Sequence, residues 1–386
     1  IDPAVPEQVI MGTVLHAVET TNVAREAMLA AGLPSRTPAW TVAMAGISPS
    51  VGVMSLCDQI ALGRVQAGIA AGTENFSDVP VRLSQKIRRS LMKIRQNKNN
   101  KARLAVLASL RPSDLSLDIP DGSDYTTGMT MGVACEAMVK KFGLTRQACD
   151  EFTARSHANA IDATEAGHYA AQISPVRIDQ QRMAEFDNTP RKDATAERLA
   201  KLKPVFDKKA GIITAGTSSR FTDGAAALLI TSMAQARKQQ LTPLAIVQDY
   251  VLTGVDSLEE EMLLGPAMSI PKLLKRNQLS FADIEVWEIH EAFAAQVLIN
   301  LACMADRDFV TERLGAEYPA GEVNRDQLNS WGGSLALGNP FAATGGRLFM
   351  TAAQRLQHSG ARYAVISTCA GGGLGAAILL ENPNPR

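Results

Sequence analysis

Hydrophobic and polar positions divide this chain into three stretches. In residues 38–75 short apolar runs flank one helical period. Thr41-Val42-Ala43-Met44-Ala45 predicts a buried strand, Gly46 to Ser50 a turn, Val51 to Leu62 a helix closed by Gly63, and Gln66 to Ala71 a second strand. Strand, turn, helix and strand in that order form the repeating unit of a parallel sheet. Residues 78–210 are polar, irregular and largely helical, with a clear helix expected from about Thr145 to Ala166. From Gly211 the α/β pattern returns, with strands expected at 284–289, 363–368 and 375–380 and helices at 291–304 and 342–357. In both outer stretches a polar or glycine-rich turn follows a buried strand. The carboxyl ends of such strands are where α/β proteins build their sites.

A chain of 386 residues, 46% of them hydrophobic, can bury more than one core, and its length predicts two or three domains. Basic and acidic residues balance at 39 each, so the total charge gives no reason to expect nucleic acid. No apolar run reaches the ~20 residues of a membrane span, and no secretory signal is expected. Cys57, Cys135, Cys149, Cys303 and Cys369 form no CxxC pair, and the five histidines show no HExxH spacing. Neither a disulfide framework nor a metal site is expected. A reducing compartment, cytoplasm or mitochondrial matrix, follows.

Four segments carry candidate chemistry. Gly371-Gly372-Gly373-Leu374-Gly375 invites a dinucleotide reading, but a dinucleotide fingerprint needs a crossover helix, and Ala376 to Leu380 reads as a strand. A turn that lets a substrate approach the backbone is the better expectation. Cys369 opens that turn, and its residue type leaves two roles open, a buried small hydrophobe or a reactive group. His290-Glu291-Ala292-Phe293 follows a strand and begins a predicted helix. His290 is then either a capping or core residue or one facing a site at free helix N–H groups. Residues 82–103 hold nine Lys or Arg and no acid, and Leu83, Ile87 and Leu91 recur every four positions beside Ile94. That pattern predicts one amphipathic basic helix, either a solvated face or a contact for anionic lipid or an acidic partner.

Together, several ordered segments resemble the thiolase family, and the resemblance covers essentially the whole chain. Thr41 to Gly72 is similar to its nucleophile strand, turn, helix and next strand. Gly216-Thr217-Ser218-Ser219 with Thr222-Asp223-Gly224-Ala225 resembles its CoA-contacting loop, and Met131-Gly132 with Glu136 its loop-domain helix. His290-Glu291-Ala292-Phe293-Ala294 resembles the NEAF box in its HEAF form, Gly338-Asn339-Pro340 the GHP box, and Cys369-Ala370-Gly371 the CxG box. HEAF and the basic Ser84–Arg89 segment are similar to thiolases of the trifunctional-enzyme β-subunit kind, which degrade fatty acids with a hydratase/dehydrogenase partner.

The resemblance implies an α/β thiolase fold: two similar βαβ-type halves in an α-β-α-β-α core plus an inserted helical loop domain. The expected division is 1–77, 78–210 and 211–386, and the family's opening strand and helix have no counterpart ahead of Val9. It implies a homodimer or tetramer pairing near Val42–Ala45, and coenzyme A thioesters as ligands with no further cofactor. The family's nucleophilic cysteine falls on Gly46 and the histidine of its GHP box on Asn339, while its CoA-loop Asn and Gly fall on Thr217 and Arg220. Cys57, eleven positions on and inside the predicted helix, cannot replace the nucleophile. The implied site is Gly46, His290, Asn339, Cys369 and Gly371, with Ala215, Ser219, Ala292, Phe293 and Met131 toward CoA. Three functions remain open: an acyl-CoA binder with little turnover, a non-covalent retro-Claisen or aldol-type enzyme using Cys369 and His290, and a working thiolase in modified form.

Overall fold

Two four-stranded sheets organise the computed structural model, which describes residues 1–120 and 122–386. The first contains β1 (Val9–Gly12), β2 (Ala39–Val42), β3 (Ala67–Glu74) and β4 (Gly224–Thr231), in the order β2-β1-β3-β4. The second contains β5 (Ile246–Gly254), β6 (Val286–Ile289), β7 (Tyr363–Ala370) and β8 (Leu374–Glu381), in the order β6-β7-β8-β5. Each repeats one motif, a parallel pair followed by an antiparallel neighbour. β1 runs parallel to β3 and β3 antiparallel to β4, just as β6 runs parallel to β7 and β7 antiparallel to β8. The repeat is incomplete: β8 carries β5 on its far side, whereas the far edge of β4 is unpaired among the described residues.

Helices separate and cover the sheets. Ser48–Ala61 and Phe341–Ser359 lie between them, and the second of these packs on both. Val23–Ala30 covers the outer face of the first sheet, and Gly265–Arg276 with Ala294–Ala305 that of the second. The five-layered order expected for the core is therefore present. Gly72 shows how closely the middle layer sits, because a Cβ there would fall 1.6 Å from the carbonyl oxygen of Ala342.

Several boundaries differ from the sequence pattern. The strand before the first turn is Ala39–Val42, half-exposed rather than buried, and it stops short because Ala45 takes a left-handed conformation (φ 46°). The helix after His290 starts at Ala294, not Glu291, since the Glu291 carboxylate is engaged by groups outside that helix. The long helix is Arg146–Glu165, with Thr145 as its N-cap.

The basic segment also differs from one continuous helix. It is a hairpin of Gln85–Gln96 and Asn100–Ala108, broken after Gln96. Ile87 is buried, but Leu83, Leu91, Met92, Leu104 and Leu107 are exposed. Among the described residues no helix is long and apolar enough to cross a membrane.

Candidate functional site

The turn after β2 leads directly into the helix Ser48–Ala61. Ser48 fixes it by accepting from the Met44 N–H at 2.8 Å and donating to the Ala45 carbonyl at 2.7 Å. Gly46 sits in this turn without a positive φ, and a Cβ built on it meets one neighbour, the Cys369 carbonyl oxygen at 3.9 Å. The turns of the two halves therefore face each other. Cys57 lies in the helix beyond, and burial, with the neighbouring Asp58, pushes its thiol up to about 12.

β6 delivers His290. Its N–H donates to the Ser367 carbonyl at 2.8 Å, which places it beside the end of β7 and hence beside Cys369. The ring is buried, and Nδ1 lies 2.9 Å from Ser334 Oγ. Burial foremost, with the positive charge of Arg347, pulls the imidazole down to about 3, so it is neutral near pH 7. Burial pushes the Cys369 thiol up to about 12, so it stays protonated there.

Asn339 is held on both sides of its amide. Thr344 donates to Oδ1 at 2.8 Å, and Nδ2 donates to Ser219 Oγ at 3.1 Å, leaving one Nδ2 hydrogen without a partner among the described residues. The Ser219 N–H donates to the Ala292 carbonyl, and Ser218 pairs with Phe293, so Ser219, Ala292, Phe293 and Asn339 form one wall. Thr217 folds back on Thr214 to close the preceding turn, with Ala215 exposed at its tip. Arg220 is exposed, and its carbonyl receives the Asn339 N–H. Met131 lies against Gly371.

The structure thus brings Gly46, Cys369, Gly371, Met131 and His290 to one cluster of strand ends, with the Asn339–Ser219–Ala292 wall beginning five residues after Ser334. Three contributors escape sequence reasoning. Asp124 accepts from the Gly372 N–H at 3.2 Å, placing a carboxylate on the glycine turn. Asn329 clamps the strand before His290, accepting from the Ile289 N–H at 2.9 Å and donating to the Ile289 carbonyl at 2.8 Å and Glu291 at 2.7 Å. Ser156 donates to the buried Glu291 carboxylate at 2.7 Å, and the Leu335 N–H adds a third bond. Glu291 therefore anchors the loop that carries Ser334 and is not free for proton transfer.

Fold and site define a doubled α/β protein with its chemistry assembled where the strand ends of both halves meet. This chain belongs to the thiolase family. Residues 1–234 match the family's description "Thiolase, N-terminal domain" and residues 241–382 "Thiolase, C-terminal domain". A 3-ketoacyl-CoA thiolase of Klebsiella pneumoniae (strain 342) is 38% identical over 376 residues, 97% of this chain and 86% of that protein. The mitochondrial trifunctional enzyme subunit beta of Mus musculus is 38% identical over 377 residues, covering 98% and 79%. Among solved structures, the Bacillus anthracis acetyl-CoA acetyltransferase superposes with a TM-score of 0.82 at 31% identity, covering 99% of this chain and 88% of that one. The human mitochondrial 3-ketoacyl-CoA thiolase in complex with CoA gives 0.81 at 27% identity, covering 99% and 88%.

Proposed function

We propose that this chain binds acyl-CoA in fatty-acid metabolism and is deficient in classical thiolysis. The observation that carries the reading is Gly46: the turn, its helix and the facing Cys369 carbonyl are kept around a position with no side chain. Covalent acyl transfer needs a nucleophile there, and losing one from a covalent site costs about 10⁶ in rate. The Asn339–Ser219–Ala292 wall and Met131 are the elements assigned to CoA, and Cys369, His290, Asn339 and Gly371 to the acyl carbonyl. The assigned units are the halves 1–77 and 211–386 around a loop domain, 78–210, with the strand 224–231 returning to complete the sheet of the first half. Cytoplasm or mitochondrial matrix is the compartment that suits this metabolism. Calorimetry should record CoA binding, and mass spectrometry after acetyl-CoA should record no covalent acetyl group. An acetyl adduct together with thiolysis would show a working thiolase and overturn the reading.

Partners follow from two exposed features. The outer edge of β2 is unpaired among the described residues, with Trp40 37% exposed, and suits a symmetric dimer or a dimer of dimers. The hairpin Gln85–Ala108 combines eight of the nine cations of 82–103 with exposed Leu91, Met92, Leu104 and Leu107, and among the described residues only Lys86 and Arg88 of these pair with acids, Asp114 and Asp118. Beside it, His16, Ala17, Val18, Arg82, Leu83 and Arg88 line a hollow of about 510 Å³. Cations flanking bare apolar side chains suit an anionic bilayer surface better than a solvated face. An acidic face of a hydratase/dehydrogenase subunit is the competing occupant. Sedimentation reads both features. Alone, the chain should run at two or four times its monomer mass. With vesicles it should pellet in proportion to anionic lipid and be released by salt. A monomer overturns the first assignment, and indifference to lipid charge the second.

A further inference from the structure

Ser334 Oγ sits between two groups, His290 Nδ1 at 2.9 Å and Arg347 Nη2 at 2.9 Å. A guanidinium has only donors, so Oγ accepts from Arg347. Ser334 is fully buried, and its own O–H needs an acceptor. Among the described residues, the acceptor within hydrogen-bond distance is His290 Nδ1. The serine proton therefore points at Nδ1, which must carry a lone pair. In a neutral imidazole the ring proton then resides on Nε2.

We propose that Arg347 and Ser334 are positioning residues: their relay holds His290 in the Nε2–H tautomer, so that the ring offers a hydrogen-bond donor to the carbonyl oxygen of a bound acyl thioester. The receiving carbonyl rests on the acyl-CoA reading above, whereas the tautomer rests only on the three side chains. Three features support the relay. Nδ1 is engaged by Ser334, and Nε2 has no hydrogen-bond partner among the described residues. The backbone of His290 is fixed by Ser367 and by the Asn329 clamp on Ile289, and the ring is buried. Burial and the charge of Arg347 both oppose protonation of the ring. Asn339 Nδ2, with one hydrogen unpaired among the described residues, is a second donor on the neighbouring wall. Two preoriented neutral donors stabilise a developing oxyanion without supplying a base. A proton-accepting role for His290 in non-covalent cleavage is inconsistent with this arrangement, because its one lone pair already receives the serine hydroxyl.

Long-range ¹H–¹⁵N spectra of the full chain labelled with ¹⁵N-histidine test the relay, with the His290 signals assigned by their loss in His290→Gln. The expected wild-type result is an Nε2–H tautomer unchanged between pH 5 and 8. Ser334→Ala should lose that tautomer in whole or part, and Ser334→Thr, which keeps the hydroxyl, should restore it. A wild-type Nδ1–H tautomer, an imidazolium in that pH range, or an unaltered tautomer in Ser334→Ala overturns the relay. The wild-type spectrum decides even if a variant fails to fold. Titration with butyryl-CoA should then move the Nε2–H signal. Binding without that movement overturns the carbonyl assignment. Failure of butyryl-CoA to bind overturns the acyl-CoA reading, while the tautomer still stands or falls on the unliganded spectrum.

Discussion

Gly46→Cys alone should return only weak thiolysis of a 3-ketoacyl-CoA, and Gly46→Cys with Asn339→His should return far more than the product of the two single gains. The first substitution is sterically open. The new Cβ meets nothing nearer than the Cys369 carbonyl oxygen at 3.9 Å, and Gly46 has no positive φ that would strain a side chain. The difficulty is activation. An ordinary thiol titrates near ~8.5 and is mostly protonated at neutral pH, and Asn339, an amide where the family's base would stand, cannot take the proton. A positioned general base contributes about 10²–10⁴-fold, so the single variant should fall short of the double by roughly that factor. Nucleophile and base act as one unit, hence the non-additivity. The measurement is the steady-state rate of CoA-dependent cleavage for all four proteins. If the double variant binds CoA yet is as inert as the starting chain, the defect extends beyond this pair. Strong activity in the unmodified protein would require another nucleophile and would end the proposal.

Arg355→Met should produce the largest loss of stability. Arg355 donates to Glu288 at 2.6 Å and also to the carbonyls of Trp287 at 2.9 Å and Gln327 at 2.6 Å, tying the central helix Phe341–Ser359 to β6. Glu288 is fully buried, and its second carboxylate oxygen has no partner among the described residues. Removing one member of a buried ion pair leaves an uncompensated charge and costs about 3–5 kcal/mol. Urea unfolding should read a loss of that order, and Arg355→Met with Glu288→Gln should recover part of it.

The pH dependence has a definite sign. Burial raises the Glu288 carboxyl above its usual range even with Arg355 present, and Arg355 works against that rise. Without Arg355 the folded value rises further while the unfolded one stays near ~4.3. The folded state then binds more protons, so stability falls as pH rises above the unfolded value. The deficit of Arg355→Met should therefore shrink toward pH 4. A deficit that is constant with pH would assign the loss to packing alone.

Much of the fold is legible because it depends on neighbours along the chain. The Thr145 cap, the turn before Ser48, the alternation of apolar strands with helices and the glycine turn after Cys369 each follow from residues a few positions apart. Where local pattern failed, a distant group intervened. The helix after His290 begins late because Glu291 is bound by Ser156, 135 positions away in sequence. The basic segment reads as one amphipathic helix, yet the fold breaks it after Gln96 and gives most of its apolar stripe no surface to cover, so Leu83 and Leu91 remain exposed.

The site divides in the same way. His290 and Cys369 are visible in the sequence as chemistry-bearing positions after strands, Gly46 and Asn339 are picked out by the family resemblance, and the absence of a side chain at Gly46 is fixed by the sequence itself. What those groups can do was decided by tertiary structure. Burial makes Cys369 a protonated thiol and His290 a neutral ring. Asp124 reaches the glycine turn from 248 residues away, and Ser334, 44 positions beyond His290, lies between Arg347 and His290 Nδ1. Sequence specifies which groups exist, whereas solvation and hydrogen-bond partners, which set protonation and orientation, arise only when remote segments close around them.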